Sequence, residues 1–232
     1  GHQRARAAEA GNAAAQCNLA WSYDEGDGVE VDHEKAVYWY TKAAEQNDAT
    51  AQYNLGCCYE VGTGVKIDMA KAVYWYEKAA AQNIAEALHT LGVFYEEGKG
   101  VPVDYEKAFE CYRKSAELGN NSGIVDLGGC YDDGIGVECD PVMAAKLYRK
   151  AALKGYDIGQ YNLALCYEHG TGVRKNMSLA VKWYTKSAEQ GYAAAQNNLG
   201  VCYEDGIGVE QDSVQAVKWY KLAAEQNDDV AL

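Results

Sequence analysis

A 36-residue period runs through the chain without an insertion. Leu19, Leu55, Leu91, Leu127, Leu163 and Leu199 keep that step, as do Tyr23, Tyr59, Tyr95, Tyr131, Tyr167 and Tyr203. The glycine pairs 26/28, 62/64, 98/100, 134/136, 170/172 and 206/208 keep the same register. So does a second tyrosine series, Tyr40, Tyr76, Tyr112, Tyr148, Tyr184 and Tyr220. A fixed period of this length is the mark of a repeat architecture, in which each repeat buries its apolar face only against its neighbours. The period defines six repeats, 12–47, 48–83, 84–119, 120–155, 156–191 and 192–227, with partial repeats over 1–11 and 228–232. The whole of 1–232 therefore reads as one solenoid domain. Its ends fall inside repeats, the expectation for an excerpt from a longer array.

Each repeat predicts two helices. In the second, Ala51, Leu55, Cys58 and Tyr59 recur at helical spacing on one face. The Y-x-x-G-x-G-V stretch then ends the helix, because glycine accepts the left-handed backbone of a helix terminus. Asp32, Asp68, Asp104, Asp140, Asn176 and Asp212 come next as N-cap candidates, and Pro141 suits a first helical position. The second helix carries Ala-x-x-Trp-Tyr-x-Lys-Ala-Ala. Asn47, Asn83, Gly119, Gly155, Gly191 and Asn227 are expected to close it. Gly56, Gly92, Gly128 and Gly200, with Ala20 and Ala164 in their place, are expected to let neighbouring helices approach closely.

Charge and composition narrow the function. The net charge of −13 argues against nucleic acid or an anionic membrane as the main partner, since both need clustered Lys and Arg. No apolar run reaches the roughly 18–20 residues of a membrane span. Gly1 to Ala10 has no signal-peptide pattern. Eight cysteines contain no C-x-x-C pair and no pairing that recurs by repeat, so they read as reduced thiols, which favours the cytoplasm over an oxidising compartment. The G-x-G pairs lack the third glycine of a dinucleotide fingerprint and come after helices, so they read as terminators. There is no H-E-x-x-H, G-x-S-x-G, S-x-x-K or calcium-loop pattern, and the four histidines occupy different repeat positions. No catalytic residue, metal or cofactor is expected.

These residues resemble the Sel-1-like repeat family, relatives of the tetratricopeptide repeats. The second repeat carries the pattern as Ala49, Ala51, Gln52, Leu55, Gly56, Tyr59, Gly62, Gly64, Val65, Asp68, Lys71, Ala72, Trp75, Tyr76, Lys78, Ala79 and Ala80. Repeats three and four depart most, with Cys111 and Leu147 in place of tryptophan, and looser local packing is expected there. The resemblance implies an all-α, right-handed α/α superhelix. It also implies adaptor work, which family members perform in endoplasmic-reticulum protein degradation, bacterial signalling and host–microbe contact.

In the tetratricopeptide-like arrangement the first helix of each repeat lines the concave face. Relative to the repeat leucine, positions −5, −2, +2 and +5 point away from the core stripe. Position +5 reads Asp24, Glu60, Glu96, Asp132, Glu168 and Glu204, all acidic, and Glu25, Glu97, Asp133 and Asp205 stand next to some of them. Position +2 supplies Trp21, Cys57, Val93, Leu165 and Val201, and position −2 supplies Tyr53, His89, Tyr161 and Asn197. Lys42, Lys78, Lys114, Lys150 and Lys186 collect on the second helix instead. An apolar strip beside an acidic ladder points to a groove for a protein or peptide partner, a basic one if aromatics anchor it and carboxylates steer it. The competing reading of the ladder is a solvated helix end.

Position −1, mostly asparagine, reads as a hydrogen bond to the neighbouring repeat. Trp39, Trp75, Trp183 and Trp219 read as packing residues, and Cys58, Cys130, Cys166 and Cys202 as small buried ones. Cys57 is the expected accessible thiol. Two other function classes compete with a binding scaffold. One is β-lactam binding or hydrolysis, as in cysteine-rich relatives, which carry paired cysteines within each repeat that are lacking here. The other is an array that self-associates end to end.

Overall fold

The computed structural model describes residues 2–228. Among the described residues all regular structure is helical, in thirteen helices. The chain divides into two compact halves, Gly1–Asn120 and Asn121–Leu232. The first half holds α1 (His2–Glu9), α2 (Ala13–Glu25), α3 (His33–Glu45), α4 (Ala49–Val61), α5 (Met69–Ala81), α6 (Ala85–Glu97) and α7 (Tyr105–Glu117). The second holds α8 (Asn121–Asp133), α9 (Pro141–Leu153), α10 (Asp157–His169), α11 (Met177–Glu189), α12 (Ala193–Asp205) and α13 (Ser213–Asp228). Inside each half the even helix of a repeat packs on the odd helix after it, and that helix packs on the next repeat.

Local chemistry explains the punctuation. Asp32, Asp68, Asp104, Asp140 and Asn176 each accept a hydrogen bond from the backbone N–H three residues on, satisfying an otherwise orphaned donor. Asn12 and Asp48 do the same for first helices. Asn47 and Asn83 take φ of 68° and 63° at the ends of α3 and α5, where Gly119, Gly155 and Gly191 serve α7, α9 and α11. Asn227 departs from this pattern, because helix α13 runs on to Asp228. In the earlier repeats the chain turns at this point into the first helix of the next repeat. Here the rest of the expected partial repeat, 229–232, lies outside the described residues.

The core is built from small residues and tyrosine. Ala36, Ala72, Ala108, Ala144 and Ala180 are fully buried, as are Leu55 and Leu199. The second tyrosine series lies inside it: Tyr40, Tyr76, Tyr112 and Tyr184 are the largest fully buried side chains. Each crosses the small residue of its own first helix. A Cβ added to Gly56 would come within 2.7 Å of the Tyr76 ring, and Gly92, Gly128 and Gly200 face Tyr112, Tyr148 and Tyr220 in the same way. Cys58, Cys130, Cys166 and Cys202 are buried packing residues, as expected.

Two further devices join neighbouring repeats. Buried Gln52 donates to the Ala44 carbonyl of the preceding repeat and accepts from Gln82 of its own, at 3.2 and 2.8 Å. Gln16 with Gln46, Gln160 with Gln190, and Gln196 with Gln226 repeat the side-chain bond at 2.7, 2.8 and 2.9 Å. In four of the loops, at Gly64, Gly100, Gly172 and Gly208, the second glycine of G-x-G lies against backbone. A Cβ on Gly208 would stand 2.6 Å from the Met177 carbonyl oxygen, and Gly64 and Gly172 face the His33 and Pro141 carbonyls still more closely. These glycines admit the neighbouring repeat.

One thiol expectation is corrected. Cys57 is half-buried, and burial raises its pKa, partly offset by hydrogen bonds from Tyr76 and Tyr53. The exposed thiol is Cys139, which sits in the loop before α9, away from the helix packing that covers a +2 position.

This packing has two measurable consequences. Gly28 and Gly172 share a left-handed φ, 73° and 68°, but only Gly172 meets backbone. Gly28→Ala should cost about 1–2 kcal/mol from φ alone, and Gly172→Ala should cost more by a further ~1–3 kcal/mol of overpacking, read by urea denaturation. Burial pushes the Cys58 thiol from 9.0 to about 12, and Cys166 and Cys202 to about 11. A raised folded pKa gives stability that is complete below the unfolded value and lost as pH rises through the folded one. The urea midpoint should therefore fall between about pH 9 and 11, and Cys166→Ala should flatten that fall.

Candidate protein-interaction face

The first helices of the repeats carry the expected face, and the structure gives its acidic ladder an internal partner. Glu60, Glu96 and Glu204 accept hydrogen bonds from Tyr76, Tyr112 and Tyr220 at 2.6, 2.6 and 2.7 Å, and Glu168 accepts one from Tyr184. The phenol of the second helix thus passes over the small residue at the middle of the first and meets its carboxylate one turn later. Burial first, then the Cys57 and Glu60 hydrogen bonds, push the Tyr76 phenol far above its ordinary value. These carboxylates are fixed in orientation by the core below them.

The two aspartates at this position are one methylene shorter and make no such bond. Asp24 is paired with His33 Nδ1 at 2.8 Å instead. Burial, and then neighbouring Asp133, raise the pKa of the Asp132 carboxyl. Small cavities open at both places. One of about 260 Å³ is lined by Trp21, Asp24, Tyr40, Asn54, Cys57 and their neighbours. The other, about 150 Å³, is lined by Asp132, Tyr148, Asn162, Leu165, Cys166, His169 and Thr171. Their linings correspond position by position, three repeats apart in the sequence.

The remaining expected site residues fall into two groups. Trp21 is 48% and Val201 43% exposed, and Asn197 and Glu204 are exposed as well. Tyr53, Cys57, His89, Val93, Tyr161 and Leu165 are half-buried. Three of these rings pack on the core tyrosine of their own repeat. Tyr53, His89 and Tyr161 lie 5.7, 5.9 and 5.8 Å, centroid to centroid, from Tyr76, Tyr112 and Tyr184. They are held against the core and are not free anchors. Glu25, Glu97, Asp133 and Asp205 are exposed and extend the ladder outward.

Asparagine at position −1 bonds the preceding repeat, as its recurrence implied. Asn198 Nδ2 donates to the Tyr184 hydroxyl at 3.1 Å, and Asn54 bonds Tyr40 in the same way. The glutamine pairs were missed, although their signal is visible: Gln at 16, 52, 160 and 196 is matched by Gln thirty residues on, and Leu88 by Leu118.

A recurring helix pair bonded in this way to its neighbours is matched by the Sel1 repeat model over residues 13–48, 49–84, 85–120, 122–156, 158–192 and 193–228. The chain belongs to the Sel1 repeat family. Sel1 repeats commonly mediate protein–protein interaction, and proteins built from them are generally non-catalytic scaffolds. A Sel1 repeat protein from Oxalobacter formigenes is 41% identical, with a TM-score of 0.87, over 91% of this chain and 85% of that one. A protective antigen of uropathogenic Escherichia coli with an SLR fold is 40% identical with a TM-score of 0.90 over 97% of this chain. The chain spans 48% of that antigen's length. An immunity protein from Pseudomonas aeruginosa, 23% identical with a TM-score of 0.56 over 92% of this chain and 81% of that one, shares the fold. No curated protein sequence matches the chain. The solenoid class expected from the sequence is thereby shown, as an all-α Sel1 repeat fold.

Within this Sel1 face, carboxylate length should set stability. Tyr184→Phe removes a hydrogen bond to a charged group and should cost about 1.5–3 kcal/mol. Tyr148→Phe, over the shorter Asp132, should cost clearly less. Asp132→Glu should gain about 1 kcal/mol by restoring the bond, measured by thermal and urea unfolding.

Proposed function

We propose that this chain is a non-catalytic scaffold that binds a basic, partly apolar polypeptide segment along the face made by its first helices, the concave face in the family's arrangement. The domain works as one array over 1–232, a reading supported by its in-register repeats. The observation that carries the proposal is the tyrosine-held carboxylate repeated at Glu60, Glu96, Glu168 and Glu204. A carboxylate already oriented by a buried donor loses little side-chain entropy when a cation approaches, so it binds better than a freely moving one. Exposed acids beside it steer a basic segment from solution. Trp21, Val93, Leu165 and Val201 supply apolar contacts, with Tyr53, Cys57, His89, Tyr161 and Asn197 at the edges and the Asp24 and Asp132 cavities as places for side chains.

The test separates charge from packing. In Glu60→Gln, Glu96→Gln, Glu168→Gln and Glu204→Gln combined, each side-chain carbonyl still accepts the tyrosine bond while four charges are removed. A labelled basic amphipathic helical peptide should bind the parent protein in a salt-dependent way and bind the variant roughly tenfold more weakly, by fluorescence anisotropy. Equal binding by both, at equal helicity, would reject the acidic ladder as the site.

A further inference from the structure

A large pocket in the first half lies on the other face. It measures about 630 Å³, within the range of about 300–1,000 Å³ usual for ligand pockets, and lies among α5, α6 and α7 with Cys111 in its wall. Its origin is legible one repeat earlier. Trp75 packs on the cluster that contains Ala44 and Leu55, beside Tyr59. Cys111 packs on the next cluster, with Leu91, Ala80 and Tyr95, each one 36-residue step further on. In the second repeat that groove is filled by Trp75, and the half-exposed Tyr74 ring meets it edge to face at 4.9 Å. In the third repeat the same two positions are Glu110 and Cys111, so both rings are gone. Gln52 has become Leu88 at the pocket floor, which removes a polar group and makes the wall more apolar.

We propose that this pocket receives a tryptophan side chain from a bound polypeptide, next to a basic residue of that segment. The chain itself shows which group fits, because indoles at 39, 75, 183 and 219 occupy the corresponding position of other repeats. An indole from outside would meet the flat Tyr95 ring, Leu88, Leu91 and Ala80. Charge selects the neighbour: the lining carries the carboxylates of Glu77, Asp104, Glu106 and Glu110 against the ammonium groups of Lys107 and Lys114, and with Glu110 paired to Arg113 at 2.6 Å the balance remains acidic. Tyr95 donates to Glu77 at 3.1 Å, and Lys107 is paired with Asp104 at 3.2 Å while lying over the Tyr95 ring. The aromatic floor and acidic rim are therefore held in place before anything binds. Cys111 contributes shape and no chemistry, since burial keeps its thiol protonated, with a pKa of about 11. This site is independent of the first-helix face.

The probe is acetyl-Lys-Trp-Lys-amide, with acetyl-Lys-Ala-Lys-amide as its control, followed through the methyl signals of Leu88 and Leu91 by NMR. The tryptophan peptide should shift both methyls saturably and the alanine peptide should not. Cys111→Trp, which refills the groove from within, should raise the melting temperature and weaken peptide binding by roughly tenfold or more, as loss of an aromatic anchor does. Glu110→Tyr restores the other ring and should do the same, so it decides the matter if Cys111→Trp folds poorly. The proposal is overturned if the methyls do not respond, if the alanine peptide binds equally, or if the folded variants bind as the parent does. Tryptamine binding as tightly as the peptide would also overturn it, by making this a small-molecule site.

Discussion

The fold depends on one phenol per repeat. In five of the six repeats the second-helix tyrosine lies buried across the glycine or alanine of its partner helix, and its hydroxyl must find an acceptor where it emerges. A buried hydroxyl without one would cost about 1–3 kcal/mol. Glutamate at position +5 is that acceptor in four repeats. This constraint sets the helix separation, through the small residue. It also sets the identity of the last-turn residue, which the helix dipole alone would disfavour as an acid. The acidic ladder is first a consequence of packing. Its use in binding, as proposed, draws on carboxylates that the core has already placed.

Joining one repeat to the next is done by polar groups in an otherwise apolar stack. Buried Gln52 bridges a carbonyl of the preceding repeat to a side chain of its own. Asn54 and Asn198 reach back to the preceding tyrosine, and the second glycine of the G-x-G loops at 64, 100, 172 and 208 admits the preceding backbone. Apolar contact alone would tolerate sliding of one helix pair over another. A directional bond with both partners buried does not, because a slipped register leaves amides unsatisfied.

Much of this was legible in the sequence, because a six-fold repeat averages away local ambiguity. Period, helix ends, caps and the packing role of Cys58, Cys166 and Trp219 can be read from residue type and position. The inter-repeat role of Asn198 can be read from its recurrence. Other facts needed coordinates. Helical-wheel geometry places Glu60 on the face opposite the core stripe but cannot show that Tyr76, sixteen residues on, reaches it. Nor can it separate Trp21, which is exposed, from Cys57, which a tyrosine hydroxyl covers. The wheel treats a helix as isolated, and both distinctions come from the second helix.

The departures from the period carry information that the period does not. Where Asp replaces Glu, at 24 and 132, a methylene is missing and a cavity opens on the first-helix face. Where Glu110 and Cys111 replace Tyr and Trp, a larger pocket opens on the other face, and the glutamine pair is lost in the same repeat, to Leu88 and Leu118. A change at the outer glutamine alone would leave an unsatisfied remnant, the side-chain oxygen of the buried amide. Replacing both together leaves none, in keeping with the low cost of exchanging a whole hydrogen-bonded pair for apolar groups. The third repeat has thus changed as a unit, keeping its Tyr112 to Glu96 bond and the Asp104 cap while opening the groove beside them. A repeat can keep the contacts that hold the stack and still differ in what it offers to solvent. That separation lets identical scaffolding carry repeats of different specificity.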